Sequence, residues 1–113
     1  MPTYILQGRY STDAVRGMVN TPEDRAQAVA KLVEAVGGTL ISYYVTFSDY
    51  DWLLVCETPG EQATAAAIVT ALASGGVHDL KATVALTSAE ATRAFEQAGQ
   101  LTRSFRAAGA PPQ

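Results

Sequence analysis

The sequence has few of the residues that build reactive centres and charged surfaces. It contains one cysteine, Cys56, and one histidine, His78, and its only lysines are Lys31 and Lys81. A lone cysteine excludes an internal disulfide, and without further Cys or His at ligand spacing we predict no metal site. The net charge is −3 and the cations are scattered. We therefore predict no nucleic-acid partner, since such binding needs a basic patch facing the phosphates.

Long apolar runs are also missing. None approaches the roughly 20 residues that a membrane-spanning helix needs. The first residues, Met1-Pro2-Thr3-Tyr4, show no basic segment leading into an apolar one, which is the pattern of a secretory signal. We expect a soluble, cytoplasmic protein without a membrane partner. Hydrophobic residues make up 48% of the 113 residues, which is enough for the core of one domain.

Hydrophobic periodicity and turn residues predict four strands and three helices. The strands are expected at residues 4–10, 40–47, 52–57 and 78–86. Each helix is expected to follow a threonine: Thr21 before Pro22, Thr58 and Thr87, the last two in a Thr-x-x-Glu capping box. The order β-α-β-β-α-β with a further C-terminal helix is typical of an α+β, ferredoxin-like fold with a four-stranded antiparallel sheet. The domain is expected to span residues 1–107 with its last helix at 88–107, and residues 108–113 to form a disordered tail.

The strands are apolar on both faces, although two helices can cover only one face of the sheet. On the second strand, strict alternation places Ile41, Tyr43 and Val45 on one face and Leu40 and Tyr44 on the other. A sheet with one wet face alternates polar and apolar residues more strictly than this. We therefore predict that a second copy covers the open face, giving a homodimer or higher homo-oligomer whose two sheets enclose a barrel-like core.

Several stretches together resemble the GYD-domain family. They are the opening residues 1–11, Val15-Arg16-Gly17, residues 25–38, the aromatic pair Tyr43-Tyr44, and Tyr50-Asp51 at the end of the hairpin turn. The resemblance runs from the first strand to the start of the third helix. It differs at the signature itself, because the glycine that precedes Tyr-Asp in the family falls at Ser48 or Asp49. The resemblance implies the dimeric α+β barrel superfamily, which includes cofactor-free monooxygenases, muconolactone-type isomerases and haem-dependent enzymes, but it supplies no reaction for the GYD branch.

Aromatic side chains, together with Arg16 in a connection and Tyr50 in the hairpin turn, suggest a ligand site. A flat pocket at the sheet face, with phenol hydroxyls to orient a small planar aromatic ligand, is one interpretation, and core or interface packing is the other. Arg16 lies in a long connection, Ser11 to Asn20, that we interpret as a loop over the pocket. The candidate ligand-binding residues are Tyr10, Arg16, Tyr43, Tyr44, Tyr50 and Trp52.

The segment Ser48–Asp51 is predicted to be mainly a turn, since aspartates in hairpin turns often accept backbone hydrogen bonds. Asp51 and His78 are the candidate acid–base residues. A haem would depend on His78 alone, and no cofactor is predicted. We expect a homodimeric small-molecule-binding module. The alternatives are a cofactor-independent monooxygenase or isomerase acting on an aromatic or dienolic compound, and a purely structural assembly. Whether the protein is an enzyme stays open at this point.

Overall fold

A computed structural model describes residues 1–111. It contains four strands and four helices in the order β1 (Thr3–Tyr10), α1 (Thr12–Asn20), α2 (Arg25–Ala35), β2 (Thr39–Val45), β3 (Trp52–Glu57), α3 (Glu61–Ala73), β4 (Val77–Ala85) and α4 (Ser88–Leu101). The last two residues of the predicted tail, 112–113, lie outside the described residues. The final helix ends at Leu101, six residues before the predicted boundary at residue 107.

The four strands form one antiparallel sheet in the order β2-β3-β1-β4. The central strand β1 pairs with β3 on one side, with Tyr4 opposite Cys56, and with β4 on the other, with Tyr4 opposite Val84. The hairpin β2–β3 places Tyr43 opposite Leu54. The predicted α+β, ferredoxin-like architecture is confirmed.

The helix starts differ from prediction at three of four places. The connection after β1 is not a loop: it forms α1, whose N-cap Ser11 accepts a hydrogen bond from the backbone N–H of Ala14. α2 begins after Asp24, whose carboxylate caps Ala26 N, rather than after Thr21. α3 has no side-chain cap, because the hydroxyl of Thr58 is buried and bonds to the Thr64 hydroxyl and the Gly60 carbonyl. Only the predicted capping box of Thr87 and Glu90 is present.

A β-bulge in β2 changes which side chains share a face. The register shifts between Leu40 and Ser42, so that Leu40 lies opposite Cys56 and Tyr43 lies opposite Leu54. Directly paired residues share a face of an antiparallel sheet, and the extra residue of a bulge breaks the alternation. Leu40 and Tyr43 therefore both face the helices, and the predicted grouping of Ile41 with Tyr43 is wrong.

The hydrophobic core lies between the sheet and the helices. Its buried members are Tyr4, Leu6, Val33, Trp52, Leu54 and Cys56, and Tyr10, Val29, Leu40, Tyr43, Ile68, Val77 and Leu80 pack against them. All three buried residues of β3 point to this side, which explains the strict alternation of buried and half-buried positions along that strand. Cys56 is a small buried core residue, only 1% exposed.

The other face of the sheet carries apolar side chains that no helix covers. Ile5, Leu53 and Val55 lie there half-buried by their neighbours, beside Tyr44, which is 60% exposed. Helix α4 extends away from the body, and the molecule measures 66 × 29 × 22 Å with a radius of gyration of 18.7 Å. A compact chain of this length has a radius of gyration of about 13 Å. Phe95, Leu101 and Phe105 of this C-terminal segment are exposed.

Within residues 1–111, no helix is both long and apolar enough to cross a membrane. In the same part of the chain, no group of three His, Cys, Asp or Glu side chains is placed to hold a metal ion.

Candidate ligand-binding cavity

A cavity of about 660 Å³ lies between the sheet and the helices α1, α2 and α3. It is therefore on the helix-covered side, opposite to the open sheet face where the sequence suggested a pocket. Small-molecule sites typically have 300–1,000 Å³ and mostly apolar walls with a few polar groups. Its walls are mainly aliphatic and aromatic, and include Leu6, Met18, Ala28, Val29, Leu32, Leu54, Ala67, Ile68, Ala71, Val77 and Leu80.

Three aromatic residues on adjacent strands form the sheet-side wall of the cavity: Tyr43 on β2, Trp52 on β3 and Tyr10 on β1. The hydroxyls of Tyr10 and Tyr43 are hydrogen-bonded to each other. The rings of Tyr43 and Trp52 are stacked, with centroids 6.4 Å apart and planes 8° from parallel. These contacts give the wall a fixed shape, because each ring is held by a neighbour on another strand.

The phenol of Tyr43 is held in its neutral form. Burial raises the pKa of Tyr43 far above its usual value, and the hydrogen bond to Tyr10 acts in the same direction. The positive charge of Arg25 opposes this and lowers the pKa of the same group. At neutral pH Tyr43 is therefore uncharged and keeps its hydroxyl proton.

Trp52 contributes a polar atom that has no partner. Its side chain is 4% exposed, and its indole Nε1 is buried without a hydrogen-bond acceptor among the described residues. The ring approaches the backbone of Gly8 so closely that a Cβ at residue 8 would lie 2.4 Å from Cζ2 of Trp52. Glycine at position 8 is therefore what allows the indole to occupy this wall.

The charged residues of the cavity lie at its mouth. Glu23 and Arg25 line it there and form an ion pair with an Oε1–Nη1 distance of 2.8 Å. Both side chains are partly exposed, at 53% and 39%, so solvent screens the pair and its contribution to stability is small. The pair leaves the cavity without an uncompensated charge.

Helix α1 covers one side of the cavity. Ala14, Gly17 and Met18 line it, yet no residue of α1 is fully buried. A segment with few buried apolar contacts opens at low free-energy cost. The segment that was interpreted as a loop over the pocket is thus a helix, and it covers the cavity on the other side of the sheet from the expected site.

The structure brings together half of the candidate ligand-binding residues. Tyr10, Tyr43 and Trp52 line the cavity. Arg16, Tyr44 and Tyr50 do not: Arg16 is exposed on α1, and Tyr44 lies on the open face of the sheet opposite Leu53. Tyr50 belongs to the turn, where its carbonyl accepts a hydrogen bond from the Thr46 hydroxyl. Ligand binding by any of the six stays a prediction.

Asp51 connects the hairpin turn to β1. Its carboxylate Oδ2 accepts a hydrogen bond from Tyr10 N at 2.9 Å, its own N–H donates to the Gly8 carbonyl, and its carbonyl accepts from Thr46 N. No residue of the turn has a positive φ, since the only described non-glycine residue of that kind is Asp79. The turn therefore needs no glycine at Ser48 or Asp49, and Asp51 has a structural role there.

Replacing Asp51 with alanine is expected to lower the free energy of unfolding by about 1–3 kcal/mol, because the N–H of Tyr10 loses its acceptor. Asp51→Asn keeps an acceptor oxygen and should cost less than about 1 kcal/mol. Urea unfolding followed by circular dichroism measures both values. Equal losses in the two variants would show that the charge, rather than the hydrogen bond, stabilises the turn.

His78 lies outside the cavity. Its Nδ1 is 3.0 Å from the carboxylate of Asp79, which also lies 3.9 Å from Arg9 Nε, and all three side chains are at least half exposed. The other candidate acid–base residue, Asp51, is engaged in the turn. His78, on which the expected haem would depend, does not line the cavity, so it is not placed to be the axial ligand of a haem there.

Alkaline pH is expected to destabilise the fold in two steps. Burial raises the pKa of the Cys56 thiol and of the Tyr43 phenol, whereas in the unfolded chain these groups release protons near about pH 8.5 and 10. Above those values the folded state binds more protons, so stability falls as pH rises. Urea unfolding between pH 7 and 11 measures the slope, which should flatten above about pH 8.5 in Cys56→Ala and above about pH 10 in Tyr43→Phe. Unchanged slopes in both variants would contradict this assignment.

Most cavity residues were missed by sequence reasoning. The apolar positions of α2 and α3, such as Val29 and Ile68, indicate an inward face, but a periodic pattern does not distinguish a packed face from one that lines a cavity. On α3 the inward positions are Thr64, Ala67, Ile68 and Ala71, whereas the apolar residues Val69 and Leu72 are exposed. Because Ala65 to Ala67 are three consecutive alanines, the sequence does not show which face of this helix is directed inward.

Comparisons with known proteins agree with this architecture. A search of curated proteins gives no significant match. Among solved structures, a transcriptional regulator from Neisseria meningitidis, NMB0573 in an L-Met complex, aligns with a TM-score of 0.56 and 20% identity over 77% of this chain and 51% of that chain. TTHA0845 from Thermus thermophilus aligns with a TM-score of 0.50 and 15% identity over 78% and 96% of the two chains. At these identities the likeness concerns the fold alone.

The family model named GYD domain matches residues 4–95. This range includes nearly the whole sheet and the three helices around the cavity, and it ends within α4. The expectation drawn from residues 1–11, the paired tyrosines and the hairpin turn is confirmed: the chain belongs to the GYD domain family.

Proposed function

We propose that the protein is a homodimeric small-molecule-binding module and that the ligand occupies the cavity between the sheet and the helices. One observation carries the proposal. Between the sheet and the helices lies a cavity of about 660 Å³, open to solvent at its mouth and lined mainly by apolar groups with a few polar groups. This volume and the mainly apolar lining are those of typical small-molecule sites, so the cavity suits such a ligand.

The structural comparison gives the proposal limited support. The Neisseria meningitidis regulator was solved with L-Met, so a protein of similar fold binds a small molecule. The present chain covers about half of that regulator, and neither its ligand nor its regulatory role is transferred here. A cytoplasmic location also belongs to the proposal, and the single buried thiol of Cys56 is compatible with it.

The homodimer in this proposal is supported by the uncovered apolar surfaces. Ile5, Leu53 and Val55 form a continuous apolar area at the centre of the open sheet face, where strands β1 and β3 are neighbours. Helix α4 adds Phe95 and Leu101, which contact no core of their own chain and are 76% and 59% exposed. Monomeric proteins rarely expose large contiguous apolar patches. A second copy would cover both surfaces.

A cofactor-independent monooxygenase or isomerase is the second candidate. The hydroxyls of Tyr10 and Tyr43 are hydrogen-bond donors that would stabilise negative charge developing on a substrate oxygen. Such an enzyme also needs a base within reach of the substrate. Glu23 is the one carboxylate among the cavity residues, and it is paired with Arg25. Binding without chemistry accounts for the site with fewer assumptions.

Filling the cavity tests the proposed binding function. Ala71 is half-buried on α3 and lines the cavity, so Ala71→Phe places a ring in the space that a ligand would use. Naphthalene, a planar apolar probe, is expected to bind the wild-type protein with a Kd on the order of 10 μM. In the variant the Kd should rise at least about tenfold, while the free energy of unfolding changes by about 1 kcal/mol or less. Isothermal titration calorimetry measures the affinity.

The matched control is Ala65→Phe, the same change on the exposed side of the same helix. It should leave naphthalene binding unchanged. Binding that is equal in wild type and Ala71→Phe would place the probe elsewhere, and the absence of binding to the wild type would contradict the proposed function.

A further inference from the structure

The cavity has a single cation among its described lining residues, Arg25 at the mouth, and its walls are otherwise mainly apolar. Arg25 is the first residue of α2, and its side chain is 39% exposed. It therefore lies between the solvent and the apolar interior. A mainly apolar cavity with a cation at its opening matches a molecule that has an apolar body and one polar end.

The guanidinium of Arg25 has hydrogen-bond donors that are not used. A guanidinium carries five N–H groups, and that of Arg25 forms one side-chain bond, from Nη1 to Oε1 of Glu23 at 2.8 Å. Among residues 1–111, no group accepts a hydrogen bond from its Nε or Nη2. The N–H groups of Nε and Nη2 point in parallel to one side, which is the geometry that binds both oxygens of a carboxylate.

The ion pair with Glu23 leaves this edge of the guanidinium available. Glu23 contacts Nη1 only, so a second carboxylate can bind at Nε and Nη2 without breaking the pair. Both side chains of the pair are partly exposed, and Glu23 is the more exposed of the two. Exposed pairs of this kind are weak and rearrange at little cost.

The charge of Arg25 also acts on the sheet-side wall of the cavity. Burial and the hydrogen bond to Tyr10 raise the pKa of Tyr43, whereas the positive charge of Arg25 lowers it. Because Coulomb interactions decline with distance, the guanidinium lies near this phenol. Tyr43 itself stays neutral at neutral pH, so it places no negative charge beside a bound anion.

The kind of anion that fits the mouth is limited by charge and shape. A dianion, such as a phosphate monoester, would have one cation for two charges and would lie close to the carboxylate of Glu23. A carboxylate has one charge, and its two oxygens match the Nε–Nη2 edge. The rest of the molecule would be apolar, because walls formed by residues such as Val29 and Ile68 offer no compensation to further polar groups.

We propose that the ligand of this cavity is an amphipathic monocarboxylic acid, with its carboxylate bound at the Nε–Nη2 edge of Arg25 and its apolar body inside the cavity. This inference rests on the proposed binding function and adds the chemical class of the ligand. The bound carboxylate stays partly hydrated, because Arg25 is itself partly exposed, and the cost of desolvating the charge is reduced accordingly.

Two probes of nearly equal shape test the carboxylate. 2-Naphthoate is an anion at neutral pH, and 2-naphthamide has a neutral amide group of the same size in its place. The wild-type protein is expected to bind the acid at least about fivefold more tightly than the amide. Isothermal titration calorimetry measures both Kd values at about 0.1 M salt, and this preference should decrease at about 1 M salt because the ions screen the charges.

The role of Arg25 is tested by the ratio of the two Kd values, in which the desolvation of the probes cancels between protein variants. Arg25→Gln removes the positive charge and should shift the ratio toward the amide by about tenfold. Glu23→Gln removes a negative charge close to the bound carboxylate and should shift the ratio about threefold toward the acid. The matched control, Arg16→Gln, removes the same charge from α1 outside the cavity and should leave the ratio unchanged.

The outcomes separate the two proposals. If both probes bind but Arg25→Gln keeps the wild-type ratio, or Arg16→Gln shifts it equally, the carboxylate inference is overturned and the binding function stands. If neither probe nor naphthalene binds, both proposals are overturned. Should Arg25→Gln not fold, the direction of the shift in Glu23→Gln decides alone, and an unchanged ratio or a shift toward the amide would overturn the inference.

Discussion

Replacing Val55 with glutamate is expected to convert the proposed dimer into a folded monomer. Val55 lies near the centre of the open sheet face, opposite Ile5 on β1 and Ser42 on β2. In a dimer joined through this face the new carboxylate would be buried without a cation, which costs several kcal/mol. In the monomer it would face water. The dissociation constant should therefore rise at least about 100-fold, as measured by sedimentation velocity over a range of concentrations.

The matched control for this prediction is Val19→Glu. Val19 is on α1, is 73% exposed and does not line the cavity, so the same chemical change should leave the association unchanged. Circular dichroism of Val55→Glu should show an intact fold. A variant that is still dimeric at low micromolar concentration would place the interface elsewhere, and the exposed apolar side of α4 would be the next surface to test.

A methyl group at position 8 is expected to damage both the core and the site. In Gly8→Ala the new Cβ would lie 2.4 Å from Cζ2 and 2.9 Å from Cε2 of Trp52. The indole cannot move away easily, because it is buried and stacked on Tyr43. Overpacking of this kind typically costs about 1–3 kcal/mol, and we expect about 2 kcal/mol or more of the unfolding free energy to be lost. Naphthalene affinity should fall as well, because the displaced ring enters the cavity.

Gly99→Ala is the control for the glycine substitution. Nothing lies within 4 Å of a Cβ at position 99, which is inside the exposed helix α4. Alanine favours helix over glycine by roughly 1 kcal/mol, so this variant should be as stable as the wild type or slightly more so. Gly8→Ala with wild-type stability in urea would show that the indole is not confined by the backbone of β1.

Much of the fold could be predicted from the sequence, because its strands and turns have strong local signals. β3 was predicted at its observed bounds, Trp52–Glu57, since it is a short apolar run between turn residues. The capping box of Thr87 and Glu90 was also predicted correctly, because it too is a strong local signal. The same Thr-x-x-Glu spacing at Thr58 predicted a capping box that does not form. The buried hydroxyl of Thr58 is hydrogen-bonded to Thr64 instead, and such a contact competes with capping of the helix.

The features that were missed depend on spatial neighbours. The bulge next to Leu40 changes which side chains of β2 face the helices. A shift of one residue cannot be recognised from the hydrophobic period of the sequence. Helix α1 did have a signal, because Ser11 with Asp13 is a typical helix start, but its short length and Gly17 favoured a loop. The location of the cavity could not be predicted, since it depends on how far α2 and α3 stand from the sheet.

The sequence therefore predicted some of the residues of the candidate site, but it did not predict on which side of the sheet the site lies. Tyr10, Tyr43 and Trp52 were singled out because dense aromatic residues suit a planar ligand, and they do line one wall. The bulge places Leu40 and Tyr43 together on the helix side, whereas Tyr44 lies on the open face. The same geometry leaves the Trp52 N–H unpaired, a property that no single-sequence pattern can indicate.

Native mass spectrometry of the protein purified from its own host tests the central claim, that the cavity holds a small molecule, most directly. The wild type and Ala65→Phe are predicted to give dimers with additional bound mass, and Ala71→Phe a dimer at the bare chain mass. An equal bound mass in Ala71→Phe, or bare dimers throughout together with no naphthalene binding, would contradict the account.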